Sequence, residues 1–155
     1  MKEKPLGVKI LGVLYYIGSA VSILFAVLFF FLGLYLVQNA SAVEAEFSAE
    51  DLAAIGSVVT LVPLFFVFAG FSLVVGVLDF FLGRGFWKAQ NWARIFVLVC
   101  SFLGIAYGLF YLISGLYIFD SITLFAGVLN IAINGFLVWY LMKKNVIHYF
   151  AKKKV

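Results

Sequence analysis

The side chains able to do acid–base, nucleophilic or metal chemistry are few in this chain, and their spacing argues against each reaction in turn. His148 is the single histidine; lacking an HExxH-type companion, it supplies no ligand pair for metal-assisted hydrolysis. Cys100 is the single cysteine. It lies inside a long apolar run with no histidine near it in sequence, so it reads as a buried inert thiol and leaves no intrachain disulfide. Glu44, Glu46, Glu50 and Asp51 cluster in sequence, but without the glycine turn and alternating oxygen ligands of an EF-hand. No catalytic residue, cofactor or metal is expected.

Polar groups within the apolar runs are the second place for chemistry. Asn130 and Asn134 stand four apart in the last run, hence on one helical face. An amide in hydrocarbon needs a partner, worth about 0.6–2 kcal/mol, so both are expected to face a bundle interior as interhelical glue, with a wet or polar-solute site as the sharper reading. Asp79 is the one carboxylate in the second run and precedes Arg84, Lys88 and Arg94. It reads as part of a structural ion pair at the membrane interface rather than as a proton relay. Asn130, Asn134 and Asp79 thus form the candidate intramembrane polar site.

The elements that must position these groups follow from the charges. All eleven Lys and Arg residues lie before the first of four apolar runs, between the second and third, or after the fourth. The runs predict helices over 10–37, 55–82, 95–119 and 121–142, each long enough to cross a hydrocarbon core of about 30 Å. With 66% hydrophobic and 12% charged residues and a mean hydropathy of +1.17, too few polar side chains remain to cover a water-soluble globule. The expected fold is therefore all-α: one domain over 1–155, a transmembrane four-helix bundle of two consecutive hairpins. The first span is too long for a signal h-region, so Ala40-Ser41-Ala42 is not read as a cleavage site. The acidic stretch 38–51, free of Lys and Arg, is the outer loop, which places both termini and the basic tail 143–155 on the cytoplasmic face. The formal charge of +4 is explained by anionic headgroups on that face, not by nucleic acid, because the cations flank span ends.

Within this frame the link 83–94 is the most patterned segment. Trp87 and Trp92 suit headgroup depth, with Arg84, Lys88 and Arg94 able to reach phosphates beside them. Trp139 and Tyr140 mark the same interface, and Tyr35, Tyr117 and Phe119 the opposite one. Helix packing is signalled by Gly104-Ile105-Ala106-Tyr107-Gly108, a GxxxG element, and by Gly18 and Ser22, its small-xxx-small relative. These serve packing within the bundle or a dimer face. Ser48-Ala49-Glu50-Asp51 resembles a capping box for a helix beginning near Leu52, and Pro63 predicts a local bend. Residues 146–150 predict a short interfacial helix with its aromatics toward lipid. The sequon Asn39-Ala40-Ser41 and the closing Lys152-Lys153-Lys154 need no reading beyond loop position and orientation.

The basic start leading into Leu6-Gly7-Val8-Lys9-Ile10-Leu11-Gly12, the link Gly83…Trp87…Asn91-Trp92-Ala93-Arg94, and the closing Ile133-Asn134-Gly135-Phe136-Leu137-Val138-Trp139 resemble small four-span membrane proteins of archaea and bacteria whose function is uncharacterised. The resemblance implies a prokaryotic inner-membrane location and a helical bundle, and no activity. Two functions are weighed. The first is a non-enzymatic scaffold that contacts lipid, a second copy of itself or another membrane protein. The second is a small-solute or ion transporter or channel, as a monomer or an oligomer, with Asn130, Asn134 and Asp79 along an internal path. An internal repeat, if present, runs parallel: Ala69-Gly70 and Ala126-Gly127 correspond only loosely.

Overall fold

The computed structural model describes residues 4–45, 58–118 and 120–151. Among these the fold is all-α: α1 is Leu6–Glu44, α2 Val58–Trp87, α3 Asn91–Ile118, α4 Ser121–Leu141 and α5 Lys144–Ala151. The first four are long and apolar enough to cross a membrane, which makes this a multi-pass membrane protein. Contacts divide the chain into two compact units, Val13–Gly83 and a second formed by Met1–Gly12 with Arg84–Val155.

Several boundaries differ from the charge pattern, each for a local reason. α1 begins at Leu6 because Pro5 precedes it and its carbonyl accepts from the amides of Val8 (3.0 Å) and Lys9 (3.3 Å). Its far end passes into the expected outer loop and reaches Glu44 across a break at Asn39 (φ −119°, ψ 18°), whose side-chain Nδ2 donates to Tyr35 O at 2.9 Å. The sequon nitrogen is therefore already engaged. The link expected over 83–94 shrinks to Lys88, Ala89 and Gln90. Ala89 takes a left-handed conformation (φ 52°), and Gln90 N bonds Gly85 O at 2.9 Å, a Schellman closure that reverses the chain within three residues. α2 continues through Pro63, which lies near its start, so one freed carbonyl is all the missing amide costs. The capping box at Ser48, together with Glu46, Glu50, Asp51, Phe119 and Lys152–Lys154, lies outside the described residues.

In the unit Val13–Gly83, α1 and α2 pack along a seam of small residues seven apart: Ser19, Ala26 and Gly33 on α1, and Ala69, Gly76 and Gly83 on α2, all buried. A Cβ on Gly76 would lie 2.8 Å from Ile23 Cγ1 and 3.3 Å from the backbone at Ile23 N and Ser19 O, so glycine is what lets the two backbones approach. Toward the Glu44 end of α1 the seam becomes aromatic, Phe29 packing on Phe65 and Phe68, and Phe30 edge-on to Phe66 with ring centroids 5.8 Å apart.

The other unit repeats the device. On α3 the buried stripe is Ala93, Val97, Ser101, Gly108 and Gly115; on α4 it includes Gly127 and Leu141. Gly115 meets Leu124, and Gly127 meets Leu112 and the carbonyl of Gly108. Asp120 starts α4 as its N-cap, accepting from Ile122 N (3.1 Å) and Thr123 N (3.2 Å). The largest fully buried side chains here, Phe86, Leu141, Val8 and Val146, come from helix ends at the basic end of the unit, where Phe150 is 3% exposed. α5 supplies Val146 and Phe150, and Phe150 stands edge-on to Phe86 at 5.8 Å. The helix over 146–150 is present, but its apolar face is buried in protein instead of dipping into lipid, because Phe86 offers it a closer apolar partner.

Candidate functional site

The two asparagines of α4 and the GxxxG element of α3 form one arrangement. A Cβ on Gly104 would fall 2.7 Å from Asn134 Cγ, Nδ2 and Oδ1, and one on Gly108 would fall 3.1 Å from Asn130 Oδ1 and 2.7 Å from Ile131 Cγ1. Each glycine is thus the seat of a carboxamide. The amide is satisfied within its own helix: Asn134 Nδ2 donates to Asn130 O at 2.9 Å and to Asn130 Oδ1 at 3.0 Å. This corrects the expectation of interhelical hydrogen bonds, since packing on glycine joins the helices while the bonding closes inside α4.

Asp79 has a related seat in the other unit. Its Oδ2 lies 3.2 Å from where a Cβ on Gly18 would stand. Among the described residues it makes no ion pair, contrary to the sequence reading. Five positions along a helix turn Asp79 and Arg84 about 140° apart around α2, which takes the nearest cation off its face. Gly18 and Ser22 both lie on the side of α1 that faces α2. Ser22 turns with Ser72 toward an open groove of ≈ 300 Å³ lined also by Phe25, Phe29, Phe71 and Val75.

At the basic end Trp87 and Trp92 are half-exposed, and Arg84 and Lys88 lie at the surface. The sequence reading missed Lys4. Its Nζ donates to Trp87 O at 2.9 Å and sits 4.9 Å from the Trp87 ring centroid, capping the negative end of α2 and stacking on its last side chain. Gly12 packs on the same indole, a Cβ there falling 2.8 Å from Trp87 Cδ1 and Nε1. Gly7 seats the phenol of Tyr140. Lys143 lies 3.6 Å over the Trp139 ring. A glycine at Gly7 and Gly12 beside an early lysine was the available signal, hidden because long-range partners carry no sequence period.

Trp92 Nε1 donates to Gln90 Oε1 at 2.9 Å. Among the described residues Arg94 has one weak partner, Asn91 Oδ1 at 3.4 Å from Nη1, and its Nε is buried without an acceptor. Two titrating groups outside the spans are displaced. Hydrogen bonds from the Thr123 hydroxyl and the Ile122 amide hold the Asp120 carboxyl below its ordinary range, and burial pushes the Tyr149 phenol up. His148 Nδ1 lies 2.7 Å from Lys144 O within α5. Cys100, expected to be buried, is exposed on α3, off the small-residue stripe. No three His, Cys, Asp or Glu side chains among the described residues converge as metal ligands.

No protein-family model, curated protein or solved structure matches this chain.

Proposed function

We propose that this chain is a non-enzymatic scaffold of a prokaryotic cell membrane, with both termini cytoplasmic. Its basic end rests on anionic headgroups, and its apolar outer faces contact lipid, a second copy or another membrane protein. The observation that carries the reading is where the polar groups are spent. Asn130 and Asn134 are bonded to each other and seated on glycine, whereas Lys4, Trp87, Trp92, Arg94, Trp139 and Lys143 gather at the end that also holds the deepest core. Aqueous pathways need polar groups left available to a solute; headgroup docking needs tryptophan and cations at one level.

Orientation is tested in a Cys100→Ser background with Ala45→Cys and Ala151→Cys, using an impermeant thiol reagent on intact cells. Labelling at Ala45→Cys with protection at Ala151→Cys is expected, and the reverse pattern overturns the assignment. In-membrane cross-linking tests the scaffold role: one stable partner or a homo-oligomer supports it, and a dispersed monomer refutes it. A small-solute or ion pathway is the second reading, favoured by the Ser22 and Ser72 groove; flux in reconstituted vesicles that Ser72→Leu abolishes would establish it.

A further inference from the structure

Among the described residues, nothing answers the charge of Arg94. It lies in the first turn of α3, a turn with no acidic residue, where the helix dipole presents positive charge and disfavours a cation. Among the described residues no carboxylate pairs with it. Its contact with Asn91 Oδ1 is long at 3.4 Å, and Nε is the one buried side-chain nitrogen or oxygen among the described residues with no acceptor. A buried donor on a charged group left without an acceptor is costly. The surroundings do not let it swing away freely: Ala93, next to it, is fully buried, and a Cβ on Gly85 would fall 2.6 Å from Ala93 Cβ, so the start of α3 is pinned against the end of α2.

Direction and level narrow the partner. Side chains on a helix lean toward its N-terminus, so Arg94 reaches back toward Asn91 and half-exposed Trp92, at headgroup depth. The residue is part-exposed although Nε is not, so an oxyanion entering from that layer can meet the guanidinium, and among the described residues no carboxylate pairs with it there. Planar, bidentate recognition by a guanidinium suits a phosphoryl group, and the anion's charge also answers the positive end of α3.

We infer that Arg94 is the centre of a phosphoryl-oxyanion site that holds the phosphate of an anionic phospholipid in fixed place. This deepens the headgroup-docking reading and rests on it. A diffuse basic surface holds lipid through any of its cations, whereas this site depends on one.

The test is native mass spectrometry of the full chain released from nanodiscs of equal phosphatidylglycerol and phosphatidylcholine. Wild-type protein is expected to retain one phosphatidylglycerol in preference to phosphatidylcholine. Arg94→Gln should lower that retention at least tenfold and Arg94→Lys by less, while Lys9→Gln, an exposed cation on α1, leaves it unchanged. Addition of 50 mM inorganic phosphate distinguishes the sources: retention that persists supports a lipid, and replacement of the lipid by a phosphate adduct overturns the lipid assignment. Equal retention by Arg94→Gln, or equal losses in Arg94→Gln and Lys9→Gln, removes the site while leaving diffuse headgroup docking intact. Retention of both lipids equally by wild-type protein, a result independent of how the variants fold, also removes it. No retained lipid and no cross-linked partner would instead defeat the broader reading.

Discussion

Alanine at Gly104 should destabilise the α3–α4 hairpin, and should stop doing so once Asn134 is shortened. The new methyl would meet three atoms of the Asn134 carboxamide at 2.7 Å, where ordinary contact begins at 3.4 Å. That group is the end of a side chain and could retreat, but its Nδ2 is tied to Asn130 by bonds of 2.9 and 3.0 Å, so retreat lengthens at least one. Overpacking of a tight seam costs about 1–3 kcal/mol, and a side-chain hydrogen bond within a membrane averages about 0.6 kcal/mol. Against these, alanine gains up to about 1 kcal/mol in helix propensity over glycine. The net expectation for Gly104→Ala is a loss of about 1–2 kcal/mol. Gly135→Ala, on α4 with no neighbour within 4 Å, should be neutral or slightly stabilising. Asn134→Ala removes the obstruction, so Gly104→Ala in that background should cost nothing, and the cycle should show coupling of about 1–2 kcal/mol. Reversible unfolding in mixed micelles, followed by tryptophan fluorescence, measures all four proteins. A Gly104→Ala loss below about 0.3 kcal/mol, or additivity within about 0.5 kcal/mol, refutes the seat.

Ala89→Gly should raise stability by about 0.5–1 kcal/mol in the same assay, because a left-handed φ of 52° penalises a Cβ and not a glycine; a loss would show that the side chain, 8% exposed, matters more than the backbone. Phe150→Ala should cost about 3 kcal/mol and speed proteolysis of the tail, since the ring is 3% exposed and edge-on to Phe86; unchanged proteolysis would place α5 off the protein surface. Acid should weaken the start of α4: the folded carboxyl of Asp120 titrates below its ordinary 3.8, so its contribution is present above that value and lost as pH falls through the lower folded one. Melting curves between pH 5 and pH 2 should lose part of their pH slope in Asp120→Ala, and an unchanged slope refutes the cap.

Charge made the spans legible, since a lysine or arginine cannot remain in hydrocarbon unsupported and therefore marks where each run ends. It marks ends coarsely. Lys9 and Arg84 lie inside α1 and α2 because a helix continues past the bilayer wherever its backbone bonds are met, and hydropathy does not register Pro5 or the reversal at Ala89. Asn130, Asn134, Gly104 and Gly108 were each visible, but as two motifs on two helices. Their meeting depends on antiparallel register, which the tight turn capped by Asp120 sets. The burial of Phe150 on Phe86 was invisible for a related reason: an amphipathic eight-residue helix looks the same whether lipid or protein receives its apolar face.

A more specific signal was present in the spacing of small residues. GxxxG alone suggests right-handed crossing, yet the buried positions run Ser19, Ala26, Gly33 on α1, Ala69, Gly76, Gly83 on α2, and Ser101, Gly108, Gly115 on α3. A period of seven keeps one stripe in contact only when helices wrap left-handedly, near +20°. In this register the hairpins correspond position by position: Ser19, Ala26 and Gly33 with Ser101, Gly108 and Gly115, and Ala69, Ser72 and Gly76 with Gly127, Asn130 and Asn134. The loose match of Ala69-Gly70 with Ala126-Gly127 was one residue out of step. The correspondence also accounts for the groove in physical terms. Where α4 places a carboxamide at Asn130, α2 offers only a hydroxymethyl at Ser72, and the groove opens there between Phe25, Phe29, Phe71 and Val75, whereas at Gly76 the α1 backbone closes the space that Asn134 fills in the other hairpin.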